Sequence, residues 1–279
     1  MTTTAAAITE HSEKVGELDI FWRQAESRTD APVLYLHGNP THSGDWTAFL
    51  EQTGGVAVDL PGFGRSAKPA NFEYSIGGYD RFLQSFITHL GWDRFSLVVH
   101  DWGGAGLATA IALRDRLERL VIIGAVPLLP GYRWHRIARV WRVPVLGELA
   151  MGFTTKAVFR YSTRESNVTP GPLPPSMIEM IWPYFDHGTQ RAVLRLYRSA
   201  PPAVLAAAGK DLAKVSSPTL VLWGDKDPYL PTKFAHDYAA LLPNAECEVL
   251  ENAGHWVWLD RPEVVGRVVD FLQTGNNPQ

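Results

Sequence analysis

The chain has 279 residues and a formal net charge of −3, with 46% hydrophobic and 20% charged residues. This composition is typical of a soluble globular protein with a sizeable core, and the length fits one α/β domain with one inserted subdomain. No basic stripe that could follow a phosphate backbone stands out, so we expect no nucleic-acid partner.

The sequence carries no pattern typical of export or of a membrane span. Residues 1–10 have no positive region followed by an apolar run, so they do not resemble a secretory signal. The longest apolar stretch, Leu120–Pro130, is broken by Gly124 and Pro127 and is too short to span a bilayer. The single cysteine excludes an intrachain disulfide and fits a reducing compartment. We expect a cytoplasmic monomer or homodimer with no membrane partner.

Short apolar runs alternate with helical patterns along most of the chain, after a flexible leader expected for residues 1 to about 12. Six continuous runs predict strands: Pro32–His37, Gly55–Leu60, Phe95–Asp101, Leu120–Val126, Thr219–Gly224 and Glu246–Leu250. Four stretches predict helices: Ile76–Leu90, Gly103–Arg114, Lys233–Leu242 and Glu263–Gln273. Uninterrupted apolar strands are typical of parallel sheets covered on both faces. Their alternation with helices predicts an α/β fold with a mostly parallel sheet.

This regular alternation stops in the middle of the chain. Between Pro127 and Lys214 there is no strand-like run, only helical patterns at 134–149, 175–182 and 190–196 and a Pro/Gly-rich break at Thr169–Pro175. We predict a core formed by residues 1–127 and 215–279, with a helical cap inserted at residues 128–214. The alternative is a helical half of the same domain.

An aspartate stands between a buried predicted strand and the start of a helix. Asp101 is followed by Trp102 and two glycines, as a tight strand–turn–helix elbow requires. Such a turn lifts the side chain above the sheet and places the Trp102 N–H at a helix N-terminus, where an oxyanion is stabilised. The pattern predicts a nucleophile at Asp101, and the alternative is an aspartate that only caps the helix.

Three further turns follow predicted strands. The turn His37-Gly-Asn-Pro40 can point backbone N–H groups inward as a second oxyanion donor, although it also fits a plain loop. A later loop holds Asp225 and Asp227, and either carboxylate could orient a histidine. The last loop holds His255, the candidate base. A nucleophile, an acid and a histidine therefore follow in order at the carboxyl ends of strands, where open α/β sheets bind ligands.

From about residue 15 to residue 273, these motifs resemble the α/β-hydrolase superfamily. Asp59–Ser66 is similar to the family's D-x-P-G-x-G-x-S loop, and Gly254–Trp256 is similar to its C-terminal histidine motif. His100-Asp-Trp-Gly-Gly104 resembles the elbow of two groups within the superfamily, the epoxide hydrolases and the haloalkane dehalogenases.

The resemblance implies a two-step reaction on a small apolar organic substrate, with water and without a metal or other cofactor. Asp101 would form an alkyl ester, which water activated by His255 would hydrolyse. Asp227 is the implied acid, because both groups usually use the second aspartate of that loop. A carboxylate suits this chemistry because it attacks sp³ carbon without prior deprotonation, whereas a serine would form an inert ether.

The leaving group is the point on which the two resemblances differ. The Leu-Tyr-Arg segment around Tyr197 resembles the W-Y-R segment of epoxide hydrolases, whose cap tyrosines donate to the epoxide oxygen. Tyr161 and Tyr132 are candidates for the other tyrosine. Asn39 fits a dehalogenase loop instead, in which an asparagine and the indole N–H of a tryptophan such as Trp102 hold the halide. We favour an epoxide hydrolase, with a haloalkane dehalogenase as the alternative.

We expect an apolar pocket walled by aromatic residues of the cap: Trp134, Trp141, Tyr161, Trp182 and Phe185. Tyr197 could instead only pack its ring, and Asn39 could be a simple turn former. A third reading, a hydrolase-fold protein that binds ligands without turnover, would predict a damaged set of catalytic residues, which the sequence does not have.

Overall fold

The structure, a computed structural model, describes residues 6–168 and 172–274. Its centre is one sheet formed by β1 (Thr9–Val15), β2 (Leu18–Ala25), β3 (Val33–Leu36), β4 (Gly55–Val58), β5 (Phe95–Asp101), β6 (Leu117–Ala125), β7 (Thr219–Gly224) and β8 (Ala245–Leu250). The strand order is β1-β2-β4-β3-β5-β6-β7-β8. β1 and β2 run antiparallel to their neighbours, and all other pairs are parallel. The predicted α/β fold with a mostly parallel sheet is confirmed.

The central strands are the best predicted elements. Every residue of β3, β4, β5 and β7 is buried, as the continuous apolar runs require of strands covered on both faces. β5 and β7 have the predicted bounds, and the other four predicted strands differ from the observed ones by at most three residues at either end.

The predicted flexible leader is wrong for its last residues. Thr9–Ser12 belong to β1, which pairs with β2 in the register His11 to Trp22. Most side chains of β1 are polar and exposed, because β1 is an edge strand with little apolar surface to cover. Backbone pairing with β2 and polar side-chain contacts such as the Glu10–Arg65 ion pair hold β1 in place, so it has no apolar pattern by which the sequence could predict it.

Helices cover both faces of the sheet: α1 (Thr47–Thr53), α2 (Ile76–His89), α3 (Gly106–Ala112), α4 (Arg136–Trp141), α5 (Leu146–Gly152), α6 (Lys156–Ser162), α7 (Pro175–Ile181), α8 (His187–Ser199), α9 (Pro202–Ala208), α10 (Lys233–Leu241), α11 (Val257–Asp260) and α12 (Glu263–Gln273). On one face Phe86 of α2 and Tyr238 of α10 are buried in a shared core, and on the other Phe49 of α1 and Val268 of α12 are buried in a second. Within the described ranges, no helix is long and apolar enough to cross a bilayer.

Helices α4 to α9 fall between β6 and β7, in the residues predicted as a cap, here called the insertion (residues 128–214). The helix predicted at 134–149 is two helices, because Pro144 lacks an amide hydrogen and disfavours helical geometry in the residue before it. Of the predicted Pro/Gly-rich break, residues 169–171 lie outside the described residues. The domain boundaries at 128 and 214 stay a prediction.

One side of the insertion is attached to the core through α8. Asp186 caps this helix by accepting the Thr189 N–H at 2.9 Å, and it also accepts from Lys68 Nζ at 2.7 Å. The Thr189 hydroxyl donates to the Gly62 carbonyl at 2.9 Å, and Arg191 donates to the Lys68 carbonyl at 2.6 Å. α8 is therefore fixed on the loop that follows β4, which sets the position of its later residues.

A second attachment joins the insertion to the last loop of the core. The Ser166 carbonyl accepts the His255 N–H at 2.7 Å, and Asn167 Nδ2 donates to the Trp256 carbonyl at 3.2 Å. The Asp260 carboxylate accepts from Asn167 Nδ2 and from the Val168 N–H, both at 3.1 Å. The chain between this attachment and the one at α8 carries α7.

The turn after β5 leaves no room for a side chain at Gly103. An added Cβ would lie 2.2 Å from the Leu36 carbonyl oxygen, which belongs to the backbone of β3. We expect Gly103→Ala to lower the free energy of unfolding by about 1–3 kcal/mol, as measured by urea denaturation. Gly266→Ala is the control: it lies in α12 with no neighbouring atom within 4 Å of the added Cβ, and should raise that free energy by about 0.5–1 kcal/mol. Equal unfolding midpoints for the two variants would contradict this account.

Candidate active site

Asp101 occupies a strained backbone position at the end of β5. Its φ is 48° and its ψ is −118°, and the 3-10 turn Trp102–Ala105 begins directly after it. A non-glycine residue with positive φ costs on the order of 1–3 kcal/mol, so the surrounding contacts must enforce the conformation. The Asp101 carbonyl accepts the Val126 N–H at 2.9 Å, and Gly103 packs against the Leu36 carbonyl. The strand ends by turning its last side chain into a cavity.

The loop after β3 places a donor on the Asp101 carboxylate. The Asn39 N–H donates to Asp101 Oδ1 at 2.7 Å. His37 shapes this loop, because its Nε2 accepts the Leu60 N–H at 3.0 Å and its Nδ1 donates to the Gly38 carbonyl at 2.8 Å. Burial lowers the pKa of His37 to about 4, so the ring is neutral.

The prediction that His37 itself belongs to the oxyanion or leaving-group residues is wrong. Both of its ring nitrogens are occupied by backbone partners, and its side chain does not line the cavity. It acts on Asp101 only through the position of the Asn39 amide. The sequence could not separate these two roles, because a histidine–glycine pair after a strand fits both of them.

His255, in the loop after β8, lies between two carboxylates. Its Nε2 is 3.6 Å from Asp101 Oδ2, and its Nδ1 is 2.8 Å from Asp227 Oδ2. The other oxygen of Asp227 accepts the N–H groups of Tyr229 at 2.8 Å and Leu230 at 3.0 Å. All three charged side chains are buried, so their charges act on one another with little screening by water.

Of the two aspartates in the loop after β7, only Asp227 contacts His255. Asp225 instead accepts the Ala253 N–H at 3.3 Å and forms an ion pair with Lys226 at 3.1 Å. The structure thus places the aspartate expected from the family resemblance beside the histidine, and it gives the other one a role in shaping the turn.

The pKa values of His255 and Asp101 are shifted in opposite directions. Burial acts to lower the pKa of His255, but the Asp227 charge and the hydrogen bond to Asp101 outweigh it and raise the pKa to about 10. Burial acts to raise the pKa of Asp101, but the hydrogen bond and charge of His255 bring it below its usual value. At neutral pH the site therefore holds one imidazolium between two carboxylates.

Asn39, Trp102 and Tyr197 place three polar groups close together near Asp101. Asn39 Nδ2 donates to the Tyr197 hydroxyl at 3.5 Å, and the Tyr197 ring lies edge-on to Trp102 with centroids 5.0 Å apart. Trp102 Nε1 is buried and has no hydrogen-bond partner among the described residues. Burial, followed by the Asp101 charge, raises the pKa of Tyr197, so this phenol keeps its proton at neutral pH.

A cavity of about 370 Å³ opens above Asp101 and His255. The core contributes Asn39, Tyr229 and Trp256 to its wall, and the insertion contributes mostly apolar residues, including Ile137, Val140, Trp141, Met151, Val158, Phe159 and Phe185. Such a wall suits an apolar ligand with a small polar centre. In the part of the chain that the structure describes, no three His, Cys, Asp or Glu side chains are grouped so as to hold a metal ion.

The structure places Trp141 and Phe185 on the cavity wall but not three other predicted residues. Trp134 lies behind Trp102, stacked on it with centroids 5.3 Å apart. Trp182 packs against the outer side of Phe185, and Tyr161 is 70% exposed on the surface. These three predictions are wrong, because the sequence does not show which face of an insertion helix turns inward.

Tyr132, one of the two candidates for the second cap tyrosine, is also not on the cavity wall. This residue is buried between Trp134 and Phe234, and it does not line the cavity. Sequence reasoning also missed His135, Tyr229 and Trp256, all of which line it. Tyr229 and Trp256 lie within two positions of the predicted catalytic residues Asp227 and His255, and that proximity was the available signal. His135 adjoins Trp134 and gave no signal of its own.

A model of the alpha/beta hydrolase family matches residues 33–268, so the chain belongs to that family. Among curated relatives, haloalkane dehalogenase 2 from Mycobacterium tuberculosis is 28% identical over 269 residues, which cover 86% of this chain and 87% of the relative. Epoxide hydrolase 3 from Xenopus tropicalis is also 28% identical, over 285 residues that cover 86% of this chain and 71% of the relative.

Solved structures also match this chain over nearly its whole length. A haloalkane dehalogenase from Bradyrhizobium elkani superposes with a TM-score of 0.81 at 26% identity, covering 95% of this chain and 98% of the other. The relatives therefore support a hydrolase of the branch that contains epoxide hydrolases and haloalkane dehalogenases.

Loss of the negative charge on Asp101 should lower the pKa of His255. We expect Asp101→Asn, which imitates the neutral ester, to bring this pKa well below the value of about 10 in the unaltered protein. The reason is that the substitution removes the Asp101 charge and its hydrogen bond to His255, both of which raise the pKa of His255. The measurement is an NMR titration of the imidazole. Asp225→Asn is the matched control, since Asp225 lies in the same region without contacting His255, and the idea fails if both variants titrate like the parent.

Proposed function

We propose that the protein is an epoxide hydrolase that converts an apolar epoxide into a vicinal diol through an ester on Asp101. The observation that carries this proposal is the Tyr197 hydroxyl, which lies 3.5 Å from Asn39 Nδ2 and lines the same largely apolar cavity as Asp101. Burial raises the pKa of Tyr197, which favours the protonated phenol. A buried acid at this place can protonate an oxygen as its bond to carbon breaks.

In the first step a carboxylate oxygen of Asp101 attacks a ring carbon of the epoxide. The C–O bond of the ring breaks, and its oxygen takes the proton of Tyr197. His255 keeps Asp101 ionised before the attack, because the imidazolium lowers the pKa of that carboxyl. The ester that forms is neutral, so His255 loses one of the two charges that hold its proton, and this proton can pass to the Tyr197 phenolate.

In the second step neutral His255 takes a proton from water, and the resulting hydroxide attacks the carboxyl carbon of the ester. Asp227 stabilises the imidazolium that forms, through its contact with Nδ1 at 2.8 Å. The Asn39 N–H, which already donates to Asp101 Oδ1, stabilises the tetrahedral oxyanion. Collapse of this intermediate releases the diol, which takes the second proton of water, and restores both the Asp101 carboxylate and the His255 imidazolium.

One observation favours a second candidate, a haloalkane dehalogenase. The indole N–H of Trp102 is buried without a partner among residues 6–168 and 172–274, and such a donor could hold a departing halide together with Asn39 Nδ2. Against this, the Asn39 amide already contacts the Tyr197 hydroxyl, so an oxygen occupies the space next to one of the two halide donors. We therefore rank the epoxide first.

A covalent adduct on Asp101 should accumulate when the second step is blocked. We expect His255→Gln, incubated with styrene oxide, to gain the mass of one substrate molecule, because ester formation needs no base whereas hydrolysis does. Intact-mass spectrometry followed by peptide mapping should assign the added mass to Asp101. The double variant with Asp101→Asn is the control, and an adduct on that variant would place the nucleophile elsewhere.

A paired assay of the purified protein distinguishes the two candidate functions. One arm follows diol formation from styrene oxide and cyclohexene oxide, and the other follows halide release from 1-iodobutane and 1,2-dibromoethane. We expect diol without halide, and we expect Tyr197→Phe to lower diol formation by about 100-fold or more.

The matched control for this substitution is Tyr161→Phe, which removes a hydroxyl from an exposed tyrosine outside the cavity and should leave the rate unchanged. Halide without diol would reject the epoxide proposal in favour of the dehalogenase. Unchanged diol formation in Tyr197→Phe would remove Tyr197 from the mechanism while leaving the Asp101 ester in place.

A further inference from the structure

A histidine that the mechanism above does not use lines the same cavity. His135 directly precedes α4 and caps it, because its Nδ1 accepts the Ala138 N–H at 3.4 Å. It lines the cavity together with Asp101 and Tyr197. Since Nδ1 must be free of hydrogen to accept this bond, the neutral ring carries its single proton on Nε2.

The contacts of the His135 ring fix its orientation in the cavity. The ring lies edge-on to Tyr197, with centroids 6.1 Å apart, and its centroid is 5.0 Å from that of the Tyr229 ring. Nε2 lies across the ring from the helix cap and makes no hydrogen bond to any residue that the structure describes. Nε2 is not among the fully buried unpaired polar atoms of the described residues, so it keeps accessible surface, and it belongs to a residue that lines the cavity.

The charges around His135 connect it to the nucleophile. Burial lowers the pKa of His135 to about 4, and among ionisable groups the Asp101 carboxylate acts on it most strongly. The same carboxylate is the ionisable group that acts most strongly on Tyr197. His135 is therefore uncharged at neutral pH, and it shares its most strongly acting ionisable neighbour, Asp101, with the candidate acid Tyr197.

Tyr229 is the other unassigned polar group on this wall, and it fits the same role less well. Its hydroxyl is already paired with Ser166 Oγ at 3.0 Å. Glu165 and Asp227 both act on it more strongly than Asp101 does. Its ring lies edge-on to His255, with centroids 5.1 Å apart, which places it beside the base.

We propose that His135 is a second hydrogen-bond donor to the substrate oxygen, through a neutral Nε2–H that acts beside the Tyr197 hydroxyl. The inference rests on the proposed function. It assigns to His135 the second donor to the epoxide oxygen, for which the sequence had suggested Tyr161 or Tyr132. His135 keeps its proton throughout, because Tyr197 supplies the one proton that the opened ring requires. Two donors select a leaving atom that accepts two directed hydrogen bonds, as an epoxide oxygen does.

Two substitutions separate the donor from the helix cap. His135→Asn keeps a side-chain oxygen that can accept the Ala138 N–H, because asparagine is a favoured capping residue, but it removes the donor at the Nε2 position. His135→Gln places an amide nitrogen near that position. The control is His187→Asn, which removes an exposed imidazole of the insertion that bonds only to Gln190 among the described side chains.

Rapid-mixing kinetics with styrene oxide resolve ester formation from ester hydrolysis. We expect His135→Asn to slow ester formation about tenfold without changing ester hydrolysis, His135→Gln to restore part of the loss, and His187→Asn to match the parent protein. A residue that only supports the fold would slow both steps together. Parent-like ester formation in His135→Asn would overturn the inference and leave the epoxide hydrolase proposal intact.

Two further measurements decide the inference even if the protein makes no diol, an outcome that would reject the proposed function. The first is ¹⁵N NMR of the imidazoles, which should show His135 neutral at neutral pH with its proton on Nε2; the other tautomer or a protonated ring would overturn the inference. The second is the affinity of unreactive Asp101→Asn protein for styrene oxide, read from tryptophan fluorescence. Adding His135→Asn should weaken this affinity about threefold to tenfold, and equal affinities or no binding would overturn the inference.

Discussion

One buried positive charge, on His255, balances two buried carboxylates, and the rest of the site depends on this balance. Buried charges persist only when they are paired and hydrogen bonded, and the N–H groups of Asn39, Tyr229 and Leu230 satisfy the remaining carboxylate oxygens. Parallel strands bring Asp101 and its partners to one edge of the sheet. In the proposed reaction, ester formation removes one charge from this set, so the base becomes active only after the nucleophile has been used.

The core of the fold could be predicted from the sequence because buried parallel strands carry their own pattern. β3, β4, β5 and β7 are buried along their whole length, and runs of apolar residues form most of each strand. β1 escaped prediction for the opposite reason: most of its side chains are polar and exposed, so its pairing with β2 leaves no apolar pattern in the sequence. In the insertion the helices are short and packed on one another, so Pro144 and tertiary contacts determine their ends more than periodicity does.

The candidate site also contains residues that could be predicted from the sequence and residues that could not. Asp101, Asp227 and His255 could be placed because the ends of parallel strands meet at one sheet edge, whatever the details of side-chain packing. The residues of the cavity wall could not be placed in this way, because the position of a residue around its helix decides whether its side chain faces the ligand or the solvent. Tyr161 faces outward for this reason, and Trp134 lies behind Trp102.

The attachment of α8 to the loop after β4 has a consequence for how substrate range can change. Tyr197 lies on this anchored helix, whereas Met151, Thr154 and Val158 form their part of the wall from α5, α6 and the turn between them. α5 and the turn after it also carry exposed apolar side chains, Leu149 and Phe153, so they have less packing to lose when altered. The reacting groups and this part of the cavity wall thus belong to separate parts of the chain. Substitutions in the wall can therefore admit larger or smaller molecules while the reacting groups keep their positions.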